Sequence, residues 1–429
     1  MKMRATALAA GLVLTMSACT GGESTDTSDG DGIGTSSGAD VVLLETADGA
    51  VLVHTGSGDV LATDADAFAS PDGSRLYVAT NAKGTTEIET RDAATGAILT
   101  SASVPGDLDV RAASVSGDAI AMMEALPEGA DPWAVVPRAR TTIVIVDPTG
   151  ATAPRPYHLE GNFEPEAFSV DDSMVFLIQH LPAEQPTAYR VTSLDLASGE
   201  IRPIAGRFKV PPQRMPGVRL RQVFDPQTDQ LYTLYTNEPS GYARGYWEES
   251  EAEAHEEVTF VHVLNLRKGW AFCAGVPKQL WGRPARAQAM ATSPDGRLLY
   301  IVDSVQGRIV AMDTRSLEIV RSEAVDLGSL AGERTSAVTS ADGTTLFVSS
   351  ASDDEAVYAI DTDSFAVIDR WAMAGPVGDL GLSADGARLY AALTDSLSVL
   401  DPASGAGLGT LFVGGIDAIV HVETSAPAA

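Results

Sequence analysis

The feature that most limits the fold of this chain is a nine-residue segment that occurs four times. Its copies are Ser70–Val78, Ser293–Ile301, Ser340–Val348 and Ser383–Ala391. Each copy contains Asp-Gly, then two variable residues, then Leu directly followed by an aromatic residue. Asp-Gly favours a tight turn, because glycine adopts positive φ without a steric clash. The alternating apolar residues after the turn predict a strand. Each copy therefore predicts a hairpin.

Each unit continues beyond its hairpin into a third strand that ends in Asp and a fourth strand that follows a polar turn. Arg308–Asp313 has the pattern of a third strand, and Ala366–Trp371 has that of a fourth. The Asp-Gly turns at Asp295, Asp342 and Asp385 are separated by 47 and 43 residues. Four short antiparallel strands repeated at about this spacing are typical of a β-propeller.

Weaker copies of the unit occupy residues 110–266, and the two chain ends complete one further unit. Ile416–Val422 predicts an innermost strand, and Val41–Glu45, Val51–His54 and Val60–Thr63 predict the three strands outside it. Pairing of the ends closes the ring and removes both sheet edges. Eight blades between residues 40 and 423 leave 48 residues for each, whereas seven would require 55. We expect an all-β propeller of eight four-stranded blades, with seven blades as the alternative.

The repeated pattern also resembles that of a known superfamily. Ser-x-Asp-Gly-x-x-Leu-Tyr-Val, with the later Val-x-x-Ile-Asp strand, is similar to the repeats of bacterial YVTN/YncE-like β-propellers. The resemblance covers nearly all of residues 66–423 and is strongest from Pro284 onward. It implies the propeller fold but no single function, because that superfamily includes ligand binders, surface proteins and a few enzymes.

The N-terminus has the three parts of an export signal. Lys2 and Arg4 form a positive region, Ala5–Met16 is apolar, and small residues precede Cys19. Such a segment is too short for a membrane helix and is typical of a signal peptide. Met16–Cys19 also resembles the lipobox of bacterial lipoproteins, in which the cysteine receives a diacylglyceryl group and becomes the first residue. We therefore expect lipidation of Cys19 and a position on the extracytoplasmic face of the cell membrane.

The segment after Cys19 predicts a tether between the lipid and the folded domain. Thr20–Asp40 is rich in Gly, Ser, Thr and Asp and has too few apolar residues for a core. The predicted organisation is a lipoprotein signal peptide at residues 1–18, a flexible tether at 19–40, the propeller at 41–423 and a disordered tail at 424–429. Cys273 is the second of two cysteines, so no disulfide framework is expected.

The charge of the chain excludes one class of partner. The net charge is −29, and removal of the signal peptide leaves 27 basic against 58 acidic residues, a net charge of −31. Such a field repels nucleic acid and anionic head groups. We predict no nucleic-acid partner and contact with the membrane through the lipid anchor.

The connections between strands predict where a binding surface lies. In antiparallel blades the Asp-Gly turns share one face, here called the turn face, and the second-to-third connections share the opposite loop face. Three consecutive loop-face connections are enlarged, at Leu126–Thr141, His180–Ala188 and Asn237–Val258. Long loops on a rigid scaffold are typical binding surfaces. The candidate binding residues are Trp133, His180, Tyr242, Tyr246, Trp247 and His255.

These features favour a non-catalytic binding or scaffolding protein whose partner is an envelope protein or a surface glycan. We predict no cofactor, because no catalytic motif is present and Cys273 has no activating base nearby in sequence. A propeller enzyme of the lactonase or quinoprotein type remains an alternative on fold analogy. The acidic run Glu248–Glu257, which includes His255, is either a solvated loop or a cation site, so metal binding or delivery is a second alternative. No metal ligands are assigned.

A series of aspartates recurs at the ends of third strands. A ring of acids in a channel is one interpretation, but a structural role is expected, because Asp accepts backbone N–H bonds in such turns. The residues are Asp147, Asp195, Asp313, Asp361 and Asp401.

Overall fold

The computed structural model is built almost entirely of β-strands. It describes residues 40–64, 67–126, 135–209, 215, 218–236, 259–281, 285–328, 334–350 and 355–424. Two 3-10 helices, Lys278–Leu280 and Ala285–Ala287, lie between the fourth and fifth blades. Within the described ranges, no helix is long and apolar enough to cross a membrane.

The described strands form eight sheets arranged as blades around a central channel, which confirms the eight-bladed prediction. Three strands come first, β1 (Asp40–Thr46), β2 (Gly49–His54) and β3 (Val60–Asp64). Blades one to three follow, innermost strand first, with β4 (Ala67–Ala69), β5 (Arg75–Ala82), β6 (Thr85–Asp92) and β7 (Ile98–Pro105); β8 (Leu108–Ala113), β9 (Ile120–Glu124), β10 (Arg140–Val146) and β11 (Arg155–Glu160); β12 (Asn162–Phe168), β13 (Met174–Leu181), β14 (Ala188–Asp195) and β15 (Ile201–Pro203).

Blade four has one additional strand, β16 (Ala205–Gly206), which pairs in parallel with its outermost strand. The remaining strands of blade four are β17 (Val218–Asp225), β18 (Gln230–Thr236), β19 (Thr259–Asn265) and β20 (Trp270–Gly275). Blades five to seven contain β21 (Gln288–Thr292), β22 (Leu298–Asp303), β23 (Arg308–Asp313) and β24 (Ile319–Ala324); β25 (Thr335–Thr339), β26 (Thr345–Ser350), β27 (Ala356–Asp361) and β28 (Val367–Ala372); β29 (Asp379–Leu382), β30 (Leu389–Leu393), β31 (Ser396–Leu400) and β32 (Gly407–Leu411). The last strand is β33 (Ile416–Thr424).

The first residue of each repeat explains the shape of the Asp-Gly turn. The hydroxyl of Ser70 donates to Asp72 Oδ1 at 2.6 Å and accepts the backbone N–H of Arg75 at 3.0 Å. The same pair of bonds occurs at Ser293, Ser340 and Ser383. Each serine thereby satisfies polar groups that the turn would otherwise leave without partners.

The aspartates that end the third strands have the structural role expected from the sequence. Asp361 Oδ1 accepts the backbone N–H of Ser364 at 2.7 Å, and Asp401 Oδ1 accepts that of Ala403 at 2.7 Å. Equivalent bonds occur at Asp147, Asp195 and Asp313. These side chains therefore stabilise the turn into the fourth strand.

The core lies between the blades and is built from the Leu-aromatic pair of each repeat. Successive residues on a strand point to opposite faces, so the pair packs against both neighbouring blades. Tyr300 of blade five packs with Leu346 of blade six, and Phe347 of blade six packs with Leu389 of blade seven. All four side chains are buried. The second strand of each blade is therefore apolar on both faces.

The two chain ends close the ring as predicted. β33 is the innermost strand of blade eight and pairs with β1, where Val42 faces Val422 and Leu43 faces His421. A buried ion pair also joins Asp40 on β1 to Arg388 at the start of the second strand of blade seven, with distances of 2.6 and 2.9 Å.

Candidate functional site

The structure describes one of the six candidate binding residues. Trp133 and Cys19 lie outside the described residues, as do the four candidates in the third enlarged connection, Tyr242, Tyr246, Trp247 and His255. His180 is described, and the expectation that it belongs to a loop is wrong. It lies within β13, where it pairs with Asn162 and Tyr189, and is buried at the loop-face end of the strand.

His180 belongs to a group of charged side chains at the loop-face end of the channel. Strand one of each blade starts at the loop face, so residues early in β12 and β17 lie near that end. We call Glu164, Glu166, His180, Arg219 and Arg221 the mouth cluster. It is built from blades three and four.

Glu166 is the most deeply buried member of the mouth cluster, with 1% of its side chain exposed. Arg219 Nη1 donates to its Oε2 at 3.2 Å, and Gln222 Nε2 and the hydroxyl of Thr233 donate to its Oε1. Burial raises the pKa of Glu166, and the neighbouring charge of Glu164 raises it further, although Arg219 opposes both effects. Glu166 therefore fixes the position of Arg219 from the buried side of the cluster.

Glu164 is the carboxylate that the mouth cluster presents to solvent, with 32% of its side chain exposed. Burial would raise its pKa, but the hydrogen bond from His180 Nε2 at 3.3 Å and the charge of Arg219 at 3.5 Å lower the pKa to about 2. Glu164 is therefore ionised at neutral pH. The two neighbouring glutamates thus have pKa values shifted in opposite directions, and Glu166, whose pKa is raised, is buried away from any ligand.

Arg221 extends the cluster across the channel. Its Nη1 lies 3.9 Å from Asp379 Oδ1 on β29, so it connects blade four to blade seven. Asp379 is also held by the hydroxyl of Ser336 and by the backbone N–H of Ile419, the latter at 3.0 Å. The carboxylate is therefore fixed, whereas about a third of the Arg221 side chain is exposed.

Two further arginines add positive charge beside the cluster. Burial lowers the pKa of Arg138, and repulsion from Arg111 lowers it further. Arg111 in turn helps to lower the pKa of Glu164. Three arginines, Arg111 and Arg138 of blade two and Arg219 of blade four, thus lie near the exposed carboxylate of Glu164. The linear sequence contains no basic cluster, so this group could be found only once the blades were placed beside each other.

In the part of the chain that the structure describes, no group of three or more His, Cys, Asp or Glu side chains is positioned to hold a metal ion. The acidic segment around His255 lies outside that part.

Comparisons with known proteins identify the fold. No protein-family model matches the chain, and no curated protein matches it. Among solved structures, dihydro-heme d1 dehydrogenase NirN in complex with DHE is similar at 14% identity and a TM-score of 0.54, over 89% of this chain and 74% of that chain. Apo AztD from Citrobacter koseri is similar at 12% identity and a TM-score of 0.54, over 91% and 100%.

These likenesses, together with the ring of blades, define the class of the protein as a β-propeller. At such low identities they establish the fold and not an activity. What this chain does must therefore be argued from its own residues.

Proposed function

We propose that this protein is a lipid-anchored, non-catalytic binding protein of the cell envelope that holds an acidic partner on the loop face of its propeller. The partner is an envelope protein or a surface glycan, and it presents a carboxylate or phosphate group to Arg219 and Arg221. The chain belongs, in this proposal, to the YVTN/YncE-like propellers that the repeats resemble.

The observation that carries the proposal is the mouth cluster. Arg219 and Arg221 each expose about a third of their side chains on a chain of net charge −29. A guanidinium presents a fork of N–H donors that matches a carboxylate or phosphate in two-point contact. Glu166 and Asp379 hold the two arginines in position, so little side-chain freedom is lost when a partner binds.

Recognition is favoured over catalysis because the titratable groups are used within the cluster. Glu166, whose pKa is raised, lies behind Arg219 with 1% of its side chain exposed and cannot reach a bound molecule. Glu164, whose pKa is about 2, is a poor proton donor or acceptor at neutral pH.

The test compares partner capture by variants that differ in one guanidinium. Arg221→Gln removes a guanidinium whose nearest carboxylate is 3.9 Å away, so the fold should lose less than about 1 kcal/mol. Arg297→Gln, in an Asp-Gly turn on the opposite face, is the matched control. Each variant is expressed in cells of the native host, cross-linked in intact envelopes and purified, and the captured molecules are quantified by mass spectrometry.

We expect Arg221→Gln to lose its captured partner and Arg297→Gln to retain it. Arg221→Lys should restore capture partially, since it keeps the charge and loses the fork. If Arg221→Gln captures the same molecules as the wild type in the same amounts, the loop-face assignment is wrong.

The anchor has its own test. Cells fed a clickable palmitate analogue should label the wild-type protein and not the Cys19→Ser variant, and the variant should leave the membrane fraction. Equal labelling of both proteins would contradict lipidation at Cys19.

A further inference from the structure

Two sulfur atoms and an imidazole nitrogen meet between blades three and four. Cys273 Sγ lies 3.3 Å from Met215 Sδ and 3.8 Å from His262 Nδ1. We call Cys273, Met215 and His262 the sulfur–imidazole cluster. All three side chains are buried, with exposed fractions of 6%, 2% and 2%.

The fold brings these residues together from three separate segments. His262 on β19 and Cys273 on β20 are directly opposite partners in the antiparallel ladder, so their side chains lie on the same face of the blade. Met215 lies on the connection between the blades, and its backbone forms two hydrogen bonds with Tyr189 on β14, of 3.0 and 2.7 Å. Met215 is thereby held at the face that carries Cys273.

The imidazole of His262 is available as a ligand. Its Nδ1 faces Cys273, and its Nε2 has no hydrogen-bond partner among the described residues. The edge of the ring instead contacts Tyr235, with centroids 6.2 Å apart.

The donor set selects a soft ion. A thiolate, a thioether and an imidazole suit Cu(I), whereas zinc sites use thiolate, imidazole and carboxylate, and hard cations prefer oxygen. Metal–sulfur bonds of about 2.3 Å place the donors of a trigonal site about 4 Å apart. The observed separations of 3.3 and 3.8 Å approach that spacing, so the donors must move apart only slightly to admit an ion.

We propose that Cys273, Met215 and His262 bind one Cu(I) ion between blades three and four. Binding replaces the thiol proton of Cys273 with copper and releases that proton to solvent, while neither copper nor sulfur changes oxidation state. This site is independent of the proposed loop-face function and of the acidic segment around His255.

The test measures Cu(I) affinity by competition with a chromophoric chelator under anaerobic conditions. The full chain carries Cys19→Ser, which leaves Cys273 as its one cysteine. We expect one Cu(I) per chain, at least a 100-fold loss of affinity in Cys273→Ser, and at least a tenfold loss in Met215→Leu and in His262→Gln. Met122→Leu, which changes a fully buried methionine in blade two, should bind as the parent does.

X-ray absorption of the parent protein loaded with one equivalent of Cu(I) provides a second measurement that needs no variant. We expect two sulfur atoms and one nitrogen atom around copper. We also expect alkylation of Cys273 in the native protein to be slower with Cu(I) bound than without it. A copper shell without two sulfurs, or unchanged affinity in Cys273→Ser, would overturn the site.

Discussion

The buried ion pair between Asp40 and Arg388 yields a quantitative prediction for ring closure. Asp40 is completely buried and accepts hydrogen bonds from Arg388 Nε at 2.6 Å, from Arg388 Nη2 at 2.9 Å and from the hydroxyl of Tyr390 at 2.6 Å. The hydrogen bond to Asp40 is the main cause of a raised Arg388 pKa. The perturbation is Asp40→Asn, which keeps the shape of the side chain and removes its charge.

The expected cost follows from the charge that remains. Removing one partner of a buried ion pair typically costs about 3–5 kcal/mol, because the other charge stays buried. Arg388 keeps one contact, to Asp385 at 3.1 Å, and the new amide oxygen still accepts a hydrogen bond. We therefore expect about 3 kcal/mol, which corresponds to about a 100-fold rise in the unfolding equilibrium constant.

Guanidinium denaturation at pH 7 measures this cost, provided that the variant unfolds with the same m-value as the wild type. Asp385→Asn is the matched control, because it removes a carboxylate from the same arginine at a position where 42% of the side chain is exposed. That control should cost less than about 1 kcal/mol.

Two outcomes would refute the reasoning about the buried pair. One is a loss of stability in Asp40→Asn that is no larger than in Asp385→Asn. The other concerns the double variant Asp40→Leu with Arg388→Met, in which both charges are replaced by apolar groups. That variant should recover most of the lost stability, and failure to do so would show that the cost does not arise from an unpaired charge.

Three further predictions concern stability and are measured by the same denaturation assay. Burial lowers the pKa of His262 to about 4 in the folded protein, so between pH 6.5 and pH 4 its imidazole gains a proton in the unfolded chain but not in the folded chain. The free energy of unfolding of the wild type, relative to that of His262→Gln, should therefore fall by about 3 kcal/mol over this range. A difference between the two proteins that stays constant with pH would contradict this. Gly405→Ala should cost about 2 kcal/mol more stability than Gly84→Ala. Both glycines have positive φ, but a Cβ at Gly405 would lie 2.2 Å from the Trp371 ring, whereas Gly84 faces open space. Equal costs would exclude the clash. Ser383→Ala should cost about 1–2 kcal/mol, because it removes one hydrogen bond from the turn carboxylate of Asp385 and leaves the buried N–H of Arg388 without its acceptor. A change below about 0.5 kcal/mol would contradict that role.

Much of the fold could be predicted from the sequence because the repeat is local. Ser70, Asp72 and the glycine that follows make contacts within six residues, so their pattern specifies a turn without reference to the rest of the chain. The spacing of such turns then determined the number of blades, and the pairing of the chain ends determined how the ring closes. The sequence pattern does not predict the hydrogen bonds that the serine side chain makes in each turn.

The mouth cluster could not be predicted because its contacts join distant parts of the chain. Arg219 and Glu166 are 53 residues apart, and Arg221 contacts a carboxylate three blades away. Both arginines lie in a weak copy of the repeat, where no motif marks them. His262 was likewise missed as a neighbour of Cys273, because the two residues meet through strand pairing and not through sequence proximity.

The central claim is a closed ring in which the two ends of the chain share one blade, and a disulfide between those ends tests it most directly. Glu45 on β1 and Ala418 on β33 face each other in the ladder. Directly opposite residues of antiparallel strands have Cα separations within the range that a disulfide spans. In the Glu45→Cys, Ala418→Cys variant, mild oxidation followed by peptide mapping should show a nearly complete 45–418 disulfide. Free thiols at both positions in the folded protein would contradict the closed ring.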